Sequence, residues 1–517
     1  MSDYSIGIDL GTTNCALAYV RASGTPSEVL PIPQWAGPER RLERTTLPSF
    51  LYRPVVSERG AYGNDESDWV VGLAAREQTR RTPGRVAHSA KSWLANHRSD
   101  LSAALLPWQS EVLPAEERIS PLDASAVLLA HLREAWEAAF PDAPLAAQTV
   151  TLTVPASFDA AAQGATLEAA ERAGFPAAVR LLEEPQAAFY RWLEAAGEPS
   201  ASLRAGEQVL VVDVGGGTSD FSLFRVTEMG QGRGATSIER LAVSEHILLG
   251  GDNIDLALAH FLEAQLVSGE GQIEGESWNH LVARARDLKE RALASENEVT
   301  LRLAVPGQGS GLLAGTLSAE VSAAELREIV LEGFFPFCGR QERPSEARSA
   351  LQEWGLPYAA DFAVTRYLAD FLREHPPVDA VLFNGGSLAS ARLRERLVEQ
   401  LARWQQGHAP RVLANPEPDL AVARGAAAYG ALGEASARPI EAGAARAVFL
   451  EVATAGPGEP RRLLCVLPRG APPEERCRAA LEGLQVRVNQ PVAFAAFQGA
   501  HRRADQAGAL IEWNEDD

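Results

Sequence analysis

Two short stretches of the chain place an aspartate just before a turn rich in glycine and threonine. The first reads IGIDLGTTNCALAY (residues 6–19) and the second reads VLVVDVGGGTSDFS (residues 209–222). Backbone N–H groups in a glycine turn can surround phosphate oxygens, and a nearby carboxylate can hold a magnesium ion through its water molecules. Two such turns, each with its own acid, predict a site for a magnesium–nucleotide complex.

For either stretch alone, the alternative is an ordinary hairpin turn in which the glycines only supply positive φ. Both stretches, however, share one order: apolar strand, aspartate, glycine, threonine and a second strand, repeated roughly 200 residues apart. This shared order indicates an internal duplication.

Helix and strand patterns alternate around the two turns. Residues 120–140 predict a helix that opens with a serine cap and a proline, because their apolar side chains fall on one face. Residues 148–157 predict a buried strand that ends at Pro155, and the next helix ends at Gly174. A strand, a Gly-Gly-Ser turn and a helix follow at 380–401, and another helix at 419–432. The alternation predicts an α/β architecture.

Composition sets limits on the class of protein. The chain has 517 residues, of which 46% are hydrophobic, so it can form several domains. Its formal charge of -20 disfavours nucleic acid and anionic membrane surfaces as partners. Neither a long apolar run nor a signal peptide is visible, so we expect a cytoplasmic protein that does not act at a membrane.

Cysteine and lysine are both scarce. The four cysteines are scattered without metal-ligand spacing, which predicts neither a zinc site nor a disulfide framework. Only Lys91 and Lys289 occur, and arginine supplies the rest of the 48 basic residues. A lysine is unusual in this chain, so each of the two is a candidate for a specific role.

The two glycine turns resemble the phosphate motifs of the heat-shock protein 70 family, within the actin and sugar-kinase ATPase superfamily. Further segments match in order, so that the resemblance spans residues 4–432. These segments are RTTLPSFLY (44–52), VVGLAAREQ (70–78), SAKSWL (89–94), TLTVPASF (151–158), LLEEPQAAFY (181–190), LLGGDNIDLAL (248–258), LFNGGSLAS (382–390) and PDLAVARGAAAYGA (418–431).

The resemblance implies an α/β fold with an actin-like, two-lobed ATPase domain at residues 1–435, built on a duplicated ribonuclease H-like core. The lobes would be residues 1–205 and 206–435. A linker at 436–445 and a small all-β module at 446–517 would follow, and the module is shorter than the family's complete peptide-binding domain.

The resemblance also implies a set of site residues for ATP or ADP and Mg²⁺. Magnesium would be held, mostly through water, by Asp9, Asp213 and Asp220. The phosphates would be bound by Gly11, Thr12, Thr13, Asn14, Gly215, Gly216, Gly217 and Thr218. Hydrolysis would depend on Lys91, Glu184, Asp213 and Thr218. The nucleoside would be contacted by Gly250, Gly251, Asp252, Arg291, Ser295, Gly385, Gly386, Ser387 and Asp419.

The implied activity is slow ATP hydrolysis that drives lobe movement and the binding of unfolded or client polypeptide. J-domain and nucleotide-exchange co-chaperones would be the partners. Two other functions remain open on the same scaffold: an actin-like nucleotide switch or assembly module with little turnover, and a small-molecule kinase. For Lys91 and Glu184 the plainer alternatives are an exposed helix charge and an acid at a helix start.

Two positions depart from the family pattern. Gln163 stands where the family has an arginine that responds to nucleotide state, and Ala389 replaces an arginine beside adenine. The hydrophobic, aspartate-flanked linker of the family is also not visible after residue 432. The usual coupling between domains is therefore not predicted by this sequence.

Overall fold

A computed structural model describes most of the chain. It covers residues 3–21, 25–63, 68–96, 99–196, 203–228, 237–267, 272–295, 297–306, 316–345, 356, 358–432, 440–441, 443–444, 446–452, 461–471, 495–499 and 505–513.

The strands follow one another along the chain in short segments. They are β1 (Ser5–Asp9), β2 (Asn14–Val20), β3 (Glu28–Val29), β4 (Ile32–Gly37), β5 (Arg40–Arg44), β6 (Leu47–Pro48), β7 (Phe50–Tyr52), β8 (Val70–Val71), β9 (Val86–His88), β10 (Thr149–Val154), β11 (Arg180–Glu183), β12 (Gln208–Val214), β13 (Ser219–Glu228), β14 (Ser237–Val243), β15 (Thr300–Pro306), β16 (Thr316–Ser322), β17 (Ala380–Asn384), β18 (Arg411–Leu413), β19 (Ile440–Glu441), β20 (Ala447–Val452), β21 (Arg461–Leu467), β22 (Ala496–Gly499) and β23 (Leu510–Trp513).

The helices alternate with these strands. They are α1 (Leu73–Gln78), α2 (Ala90–Leu94), α3 (Pro121–Ala139), α4 (Ala160–Arg172), α5 (Glu184–Ala195), α6 (Gly251–Leu266), α7 (Gly275–Ala294), α8 (Ala323–Phe334), α9 (Val364–Leu372), α10 (Ala391–Trp404) and α11 (Pro418–Ala431). Short 3-10 helices include Val56–Tyr62, Pro83–Arg85, Ala115–Glu117, Leu145–Ala147 and Gly386–Ala389.

Two mixed sheets form the centre of the molecule and share one strand arrangement. In the first, the order is β11-β10-β1-β2-β3, with β1 and β2 antiparallel and β10 and β11 parallel to β1. In the second, the order β18-β17-β12-β13-β14 repeats the same pattern of hairpin and parallel strands. The internal repeat in the sequence therefore corresponds to two sheets of matching topology, which we call the first lobe (around β1–β11) and the second lobe (around β12–β19).

Local sequence explains the predicted helices of the first lobe. The Ser120 hydroxyl accepts a hydrogen bond from the Asp123 N–H at 3.0 Å, and Pro121 takes the first position of α3. The buried strand before Pro155 is β10, and Gly174, with φ of 79°, follows the end of α4. The helix and strand predictions for residues 120–174 are confirmed.

Helix α11 comes after the second lobe in sequence but packs on the first-lobe sheet, against β1, β2, β10 and α5. The approach is close. A Cβ at Gly425 would lie 1.7 Å from the carbonyl oxygen of Ala187, and a Cβ at Gly7 would lie 2.2 Å from that of Ala423. Only glycine fits at these two contacts, so α5 and α11 are held together between the lobes.

The last described strands form a separate four-stranded sheet in the order β22-β20-β21-β23. Its small apolar core contains Phe449, Leu463 and Cys465. Before it, β19 pairs in parallel with β14 and so extends the second-lobe sheet. Among the helices described here, none is long and apolar enough to cross a membrane.

Candidate functional site

The two glycine turns face each other across the gap between the lobes. A Cβ at Gly216 would lie 2.1 Å from Oγ1 of Thr13, and one at Gly217 would lie 3.1 Å from Cγ2 of Thr12. A side chain at Gly216 would collide with the opposite turn, and one at Gly217 would press tightly against it. The fold therefore brings together two turns that lie far apart in sequence.

The turns form the floor of a cleft of about 920 Å³, a volume suited to a small organic ligand. Most of the residues predicted for the site line it. They are Asp9, Gly11, Thr12, Thr13, Asn14, Lys91, Glu184, Asp213, Gly215, Gly216, Thr218, Gly251, Asp252, Ser295, Gly385, Gly386, Ser387 and Asp419.

Four of the predicted residues do not line this cleft. Gly217 belongs to the second turn but packs against Ser92 of α2, and Gly250 packs on the carbonyl oxygen of Gly216. Asp220 is buried below the turn, with 5% of its surface exposed. Arg291 is exposed on α7 and does not line the cleft.

Lys91 and Glu184 form a buried ion pair at the centre of the cleft. Lys91 lies on α2, and Glu184 is the first residue of α5, directly after β11. Their side chains are 9% and 12% exposed, so neither is a surface charge. Burial alone lowers the pKa of Lys91, but the Glu184 and Asp9 carboxylates outweigh it and the pKa is raised. The lysine therefore carries a fixed positive charge inside the cleft.

Three aspartates lie near this pair, of which Asp213 and Asp220 are buried and Asp9 is partly buried. Burial raises the pKa of Asp9 to about 7, that of Asp213 to about 8 and that of Asp220 to about 6. Asn384 donates a hydrogen bond to Oδ2 of Asp213 at 2.6 Å, which favours its ionised form. Desolvation is thus the main cause of the raised pKa values, and the nearby Glu184 charge adds to it at all three aspartates.

This donor set fits a magnesium ion held mainly through water. Its ligands would be oxygens, which Mg²⁺ prefers, and Oδ1 of Asp220 has no hydrogen-bond partner among the residues that the structure describes. Within the same residues, no three acid, histidine or cysteine side chains lie close enough together to form a complete metal cage. Asp9 and Asp213, which line the cleft, would meet the ion's water shell.

The loops on the nucleoside side are tied to the second turn. The Gly251 N–H donates to the Gly215 carbonyl at 3.0 Å, and the Asp252 N–H donates to the Gly216 carbonyl at 2.7 Å. The Ser387 hydroxyl donates to the Gly215 carbonyl at 2.9 Å. These bonds hold the three predicted loops as one surface.

Gly385 has a φ of 86°, where glycine is favoured. A Cβ there would also meet Oδ1 of Asp213 at 2.5 Å.

Sequence reasoning missed several residues of the cleft. Lys289 bonds the Gly251 carbonyl at 2.8 Å and Asp255 at 2.6 Å, and Arg286 pairs with Asp252 at 3.0 Å. The side chains of Arg286, Lys289 and Glu290 on α7 line the cleft, whereas that of Arg291 does not. The scarcity of lysine singled out Lys289, but no spacing in the sequence revealed its contacts.

Two ion pairs join the lobes at the edge of the cleft. Arg76 of α1 contacts both carboxylate oxygens of Glu290 at 2.7 and 2.8 Å. Arg80 contacts both oxygens of Asp287 at 2.7 Å. Both acids lie on α7, so two ion pairs fasten the first lobe to the second. Arg76 uses Nη2 alone, whereas Arg80 uses Nε and Nη2 in a two-bond fork.

The two departures from the family pattern have visible consequences. Gln163 donates a hydrogen bond to the Phe158 carbonyl at 3.0 Å, within its own lobe. Ala389 lines the cleft with a short apolar side chain where an arginine was expected from the resemblance. Neither residue supplies a charge to the site.

A family model described as Hsp70 protein matches residues 5–332 of this chain. The chain belongs to the Hsp70 family. The resemblance drawn from the motifs is confirmed, and membership in the Hsp70 family implies the actin-like, two-lobed ATPase fold. Members of this family are ATPases that bind ATP and ADP.

Several curated relatives in the Hsp70 family carry the description "Chaperone protein HscA homolog". The one from Shewanella denitrificans is 30% identical over 338 residues, which is 63% of this chain and 46% of the relative. That from Burkholderia cenocepacia is 33% identical over 341 residues, 64% of this chain and 48% of the relative. That from Cupriavidus necator is 30% identical over 433 residues, which is 82% of this chain and 57% of the relative. The chain thus spans about half the length of the curated relatives it matches.

Proposed function

We propose that this protein binds Mg–ATP between its two lobes and slowly hydrolyses it to ADP and phosphate. The observation that carries the proposal is the buried Lys91–Glu184 ion pair, which lies in the cleft with Asp9 and Asp213. A binding site without turnover would not need to bury a lysine and a glutamate together. Burying charges is costly unless they serve each other or a ligand.

Phosphoryl transfer depends mainly on positioning and on neutralising charge, which is what these residues offer. The N–H group of Gly216 and the hydroxyls of Thr13 and Thr218 would hold phosphate oxygens. The Gly215 N–H instead donates to the Thr218 carbonyl at 2.9 Å and so closes the turn. The ammonium group of Lys91 would offset negative charge on the terminal phosphate.

The Glu184 carboxylate would orient the attacking water. Asp9 and Asp213, with Asp220 below them, would hold the magnesium ion, which when bound supplies positive charge to the phosphates.

The nucleoside would lie against the second lobe. Gly385, Gly386 and Ser387 would face the base, with Asp419 near it, and the loop at Gly251 and Asp252 would face the ribose. Ser295 supports the same placement because it lines the cleft, whereas Arg291 is left out of this assignment. Lys289 is added to it, because its ammonium lies beside Gly251.

We further propose that nucleotide-driven lobe movement is coupled to the binding of unfolded or client polypeptide in the cytoplasm, with J-domain and nucleotide-exchange co-chaperones as partners. The matching strand orders support a duplicated ribonuclease H-like core in residues 1–435. Residues 436–445 would be the linker, and residues 446–517 would form the β-rich module that responds to the lobe movement. The relatives named as chaperones support this coupling.

Single-turnover ATP hydrolysis by the wild type and by Lys91→Ala, with ATP binding measured in parallel, tests the proposal. We expect the variant to bind ATP and to lose nearly all hydrolysis. Equal rates in the two proteins would remove Lys91 from the mechanism, and a wild type that binds no ATP would overturn the ATPase function. Binding without turnover in both would favour a nucleotide switch. The rate is also expected to change when unfolded peptide is added, and an unchanged rate would contradict the coupling.

A further inference from the structure

Ser89 has a backbone conformation that is unusual for serine. Its φ of 57° and ψ of 26° place it in the left-handed region, directly before α2. Such residues persist only when their surroundings hold them, and they occur often at functional sites. Helix α2 has five residues, Ala90–Leu94, and Lys91 is its second. The conformation of Ser89 therefore sets where α2 begins and, with it, the position of Lys91.

The Ser89 hydroxyl crosses the gap between the lobes. It donates a hydrogen bond to Oδ2 of Asp252, in the second lobe, at 2.7 Å, and both residues are buried. The other oxygen of Asp252 accepts from Arg286 at 3.0 Å, so both oxygens of the carboxylate are engaged. The Asp252 N–H is bonded in turn to the carbonyl of Gly216 in the second turn.

The partners on the other side of Ser89 fix the direction of this bond. Nδ1 of His88 lies 2.9 Å from the Ser89 hydroxyl oxygen. Burial, together with the nearby Arg286 charge, lowers the pKa of His88 to about 4, so the imidazole is neutral near pH 7. Because the single hydroxyl proton goes to Asp252, His88 must donate through Nδ1–H. The result is a directed chain from His88 through Ser89 to Asp252.

Helix α2 also touches the second turn directly. A Cβ at Gly217 would lie 2.2 Å from the Ser92 hydroxyl oxygen, so the helix and the turn have no room between them. A small displacement of α2 would therefore move Lys91 relative to the phosphate turn. In positioned phosphoryl transfer, a displacement on the order of 1 Å can cost about a hundredfold in rate.

We propose that Ser89 is a positioning residue, whose hydroxyl bond to Asp252 places Lys91 for hydrolysis only when the two lobes are closed. This inference rests on the proposed ATPase function. Ser89 itself does not line the cleft in the described part of the chain, so it acts through Lys91 and not on the nucleotide. Loss of the hydroxyl should therefore lower kcat much more than it changes KM for ATP.

The test compares three substitutions at Ser89 in the full chain. Ser89→Ala removes the hydroxyl and disfavours the left-handed backbone, whereas Ser89→Gly removes the hydroxyl but accepts that backbone. Asparagine tolerates the left-handed region, and its amide can donate to Asp252, so Ser89→Asn should restore part of the rate. We expect single-turnover hydrolysis to fall about ten- to a hundredfold in both the alanine and glycine variants, as for the loss of one hydrogen bond to a charged group.

The outcomes separate this inference from the proposed function. If wild type hydrolyses ATP, Lys91→Ala does not, and both Ser89→Ala and Ser89→Gly match the wild type, only the role of Ser89 is overturned. A slow alanine variant with a normal glycine variant would show that backbone conformation matters and the hydroxyl does not, which also overturns it. A wild type without ATP binding would instead refute the proposed function. Unchanged thermal unfolding and ATP affinity show that a slow variant is folded.

Discussion

The fork between Arg80 and Asp287 should slow the release of nucleotide, because it joins α1 of the first lobe to α7 of the second. Both carboxylate oxygens are contacted at 2.7 Å, and neither residue lines the cleft in the described chain, so a substitution does not alter the cleft lining itself. Arg80 also contacts Glu77 of α1 at 2.9 Å, within the first lobe. The Arg80 side chain is 40% exposed and that of Asp287 is 20% exposed.

Solvent screening limits the strength of such a pair to about 0.2–1 kcal/mol, and its two-bond geometry favours the upper end. If the bond must break before the lobes open, about 1 kcal/mol corresponds to release about fivefold faster, since about 1.4 kcal/mol is a factor of ten. Arg80→Ala should therefore increase the dissociation rate of ADP by this factor. High salt should reduce the difference, because it screens the pair in the wild type.

The assay is stopped-flow dissociation of a fluorescent ADP analogue chased with unlabelled ATP. Arg172→Ala is a matched control, because Arg172 contacts Asp123 and Glu168, each at 2.6 Å, within the first lobe alone. Reversing the pair, with Arg80→Asp and Asp287→Arg together, should return the rate toward that of the wild type. The reasoning is refuted if Arg80→Ala releases ADP at the wild-type rate, or if Arg172→Ala accelerates release equally.

Two further predictions concern stability. Gly425→Ala should lower the free energy of unfolding by about 1–3 kcal/mol, because the new Cβ meets the Ala187 carbonyl. Gly164→Ala in α4 is the control, since open space surrounds this glycine and the substitution should be neutral or stabilising. Thermal unfolding compares the two variants, and equal shifts would contradict the contact at Gly425. His88 has a folded pKa of about 4, below its unfolded value of about 6.5, so protonation favours the unfolded chain and stability is lost as pH falls through that window, by about 3 kcal/mol at most. Urea unfolding at pH 7 and pH 4.5 should show a smaller loss in His88→Gln than in the wild type, and parallel losses would exclude His88 as the cause.

Residues inside the repeated motifs could be assigned a place from the sequence. Asp9 and Asp213 precede their turns in both copies, and both line the cleft as expected. Lys91 stood out because the chain otherwise favours arginine, and it lies in the cleft and not on an exposed helix face. The prediction was less successful on α7, where Lys289 and not Arg291 faces the cleft. A helix places successive residues about 100° apart, so a small error in alignment turns the wrong side chain inward.

Contacts between distant segments could not be read in the same way. Nothing in the sequence near Ser89 points to Asp252, and Asp287, the partner of Arg80 in the second lobe, lies 207 residues later. Asn384 ends an apolar strand, but its bond to Asp213 exists only because β17 pairs with β12. The first two contacts depend on how the lobes approach each other, and the third depends on strand pairing within the second lobe.

Local sequence patterns were sufficient to identify two glycine and threonine turns with their acids, a rare lysine and the alternation of strands and helices around them. These are local properties, since a turn needs its glycines and a helix its cap wherever the chain goes. The tertiary structure decided which residues meet. Folding of the first lobe pairs Lys91 with Glu184, burial raises the pKa values of the three aspartates, and the approach of the two lobes bonds Ser89 to Asp252. Those effects arise from desolvation and from distances between segments far apart in sequence, and local patterns do not encode them.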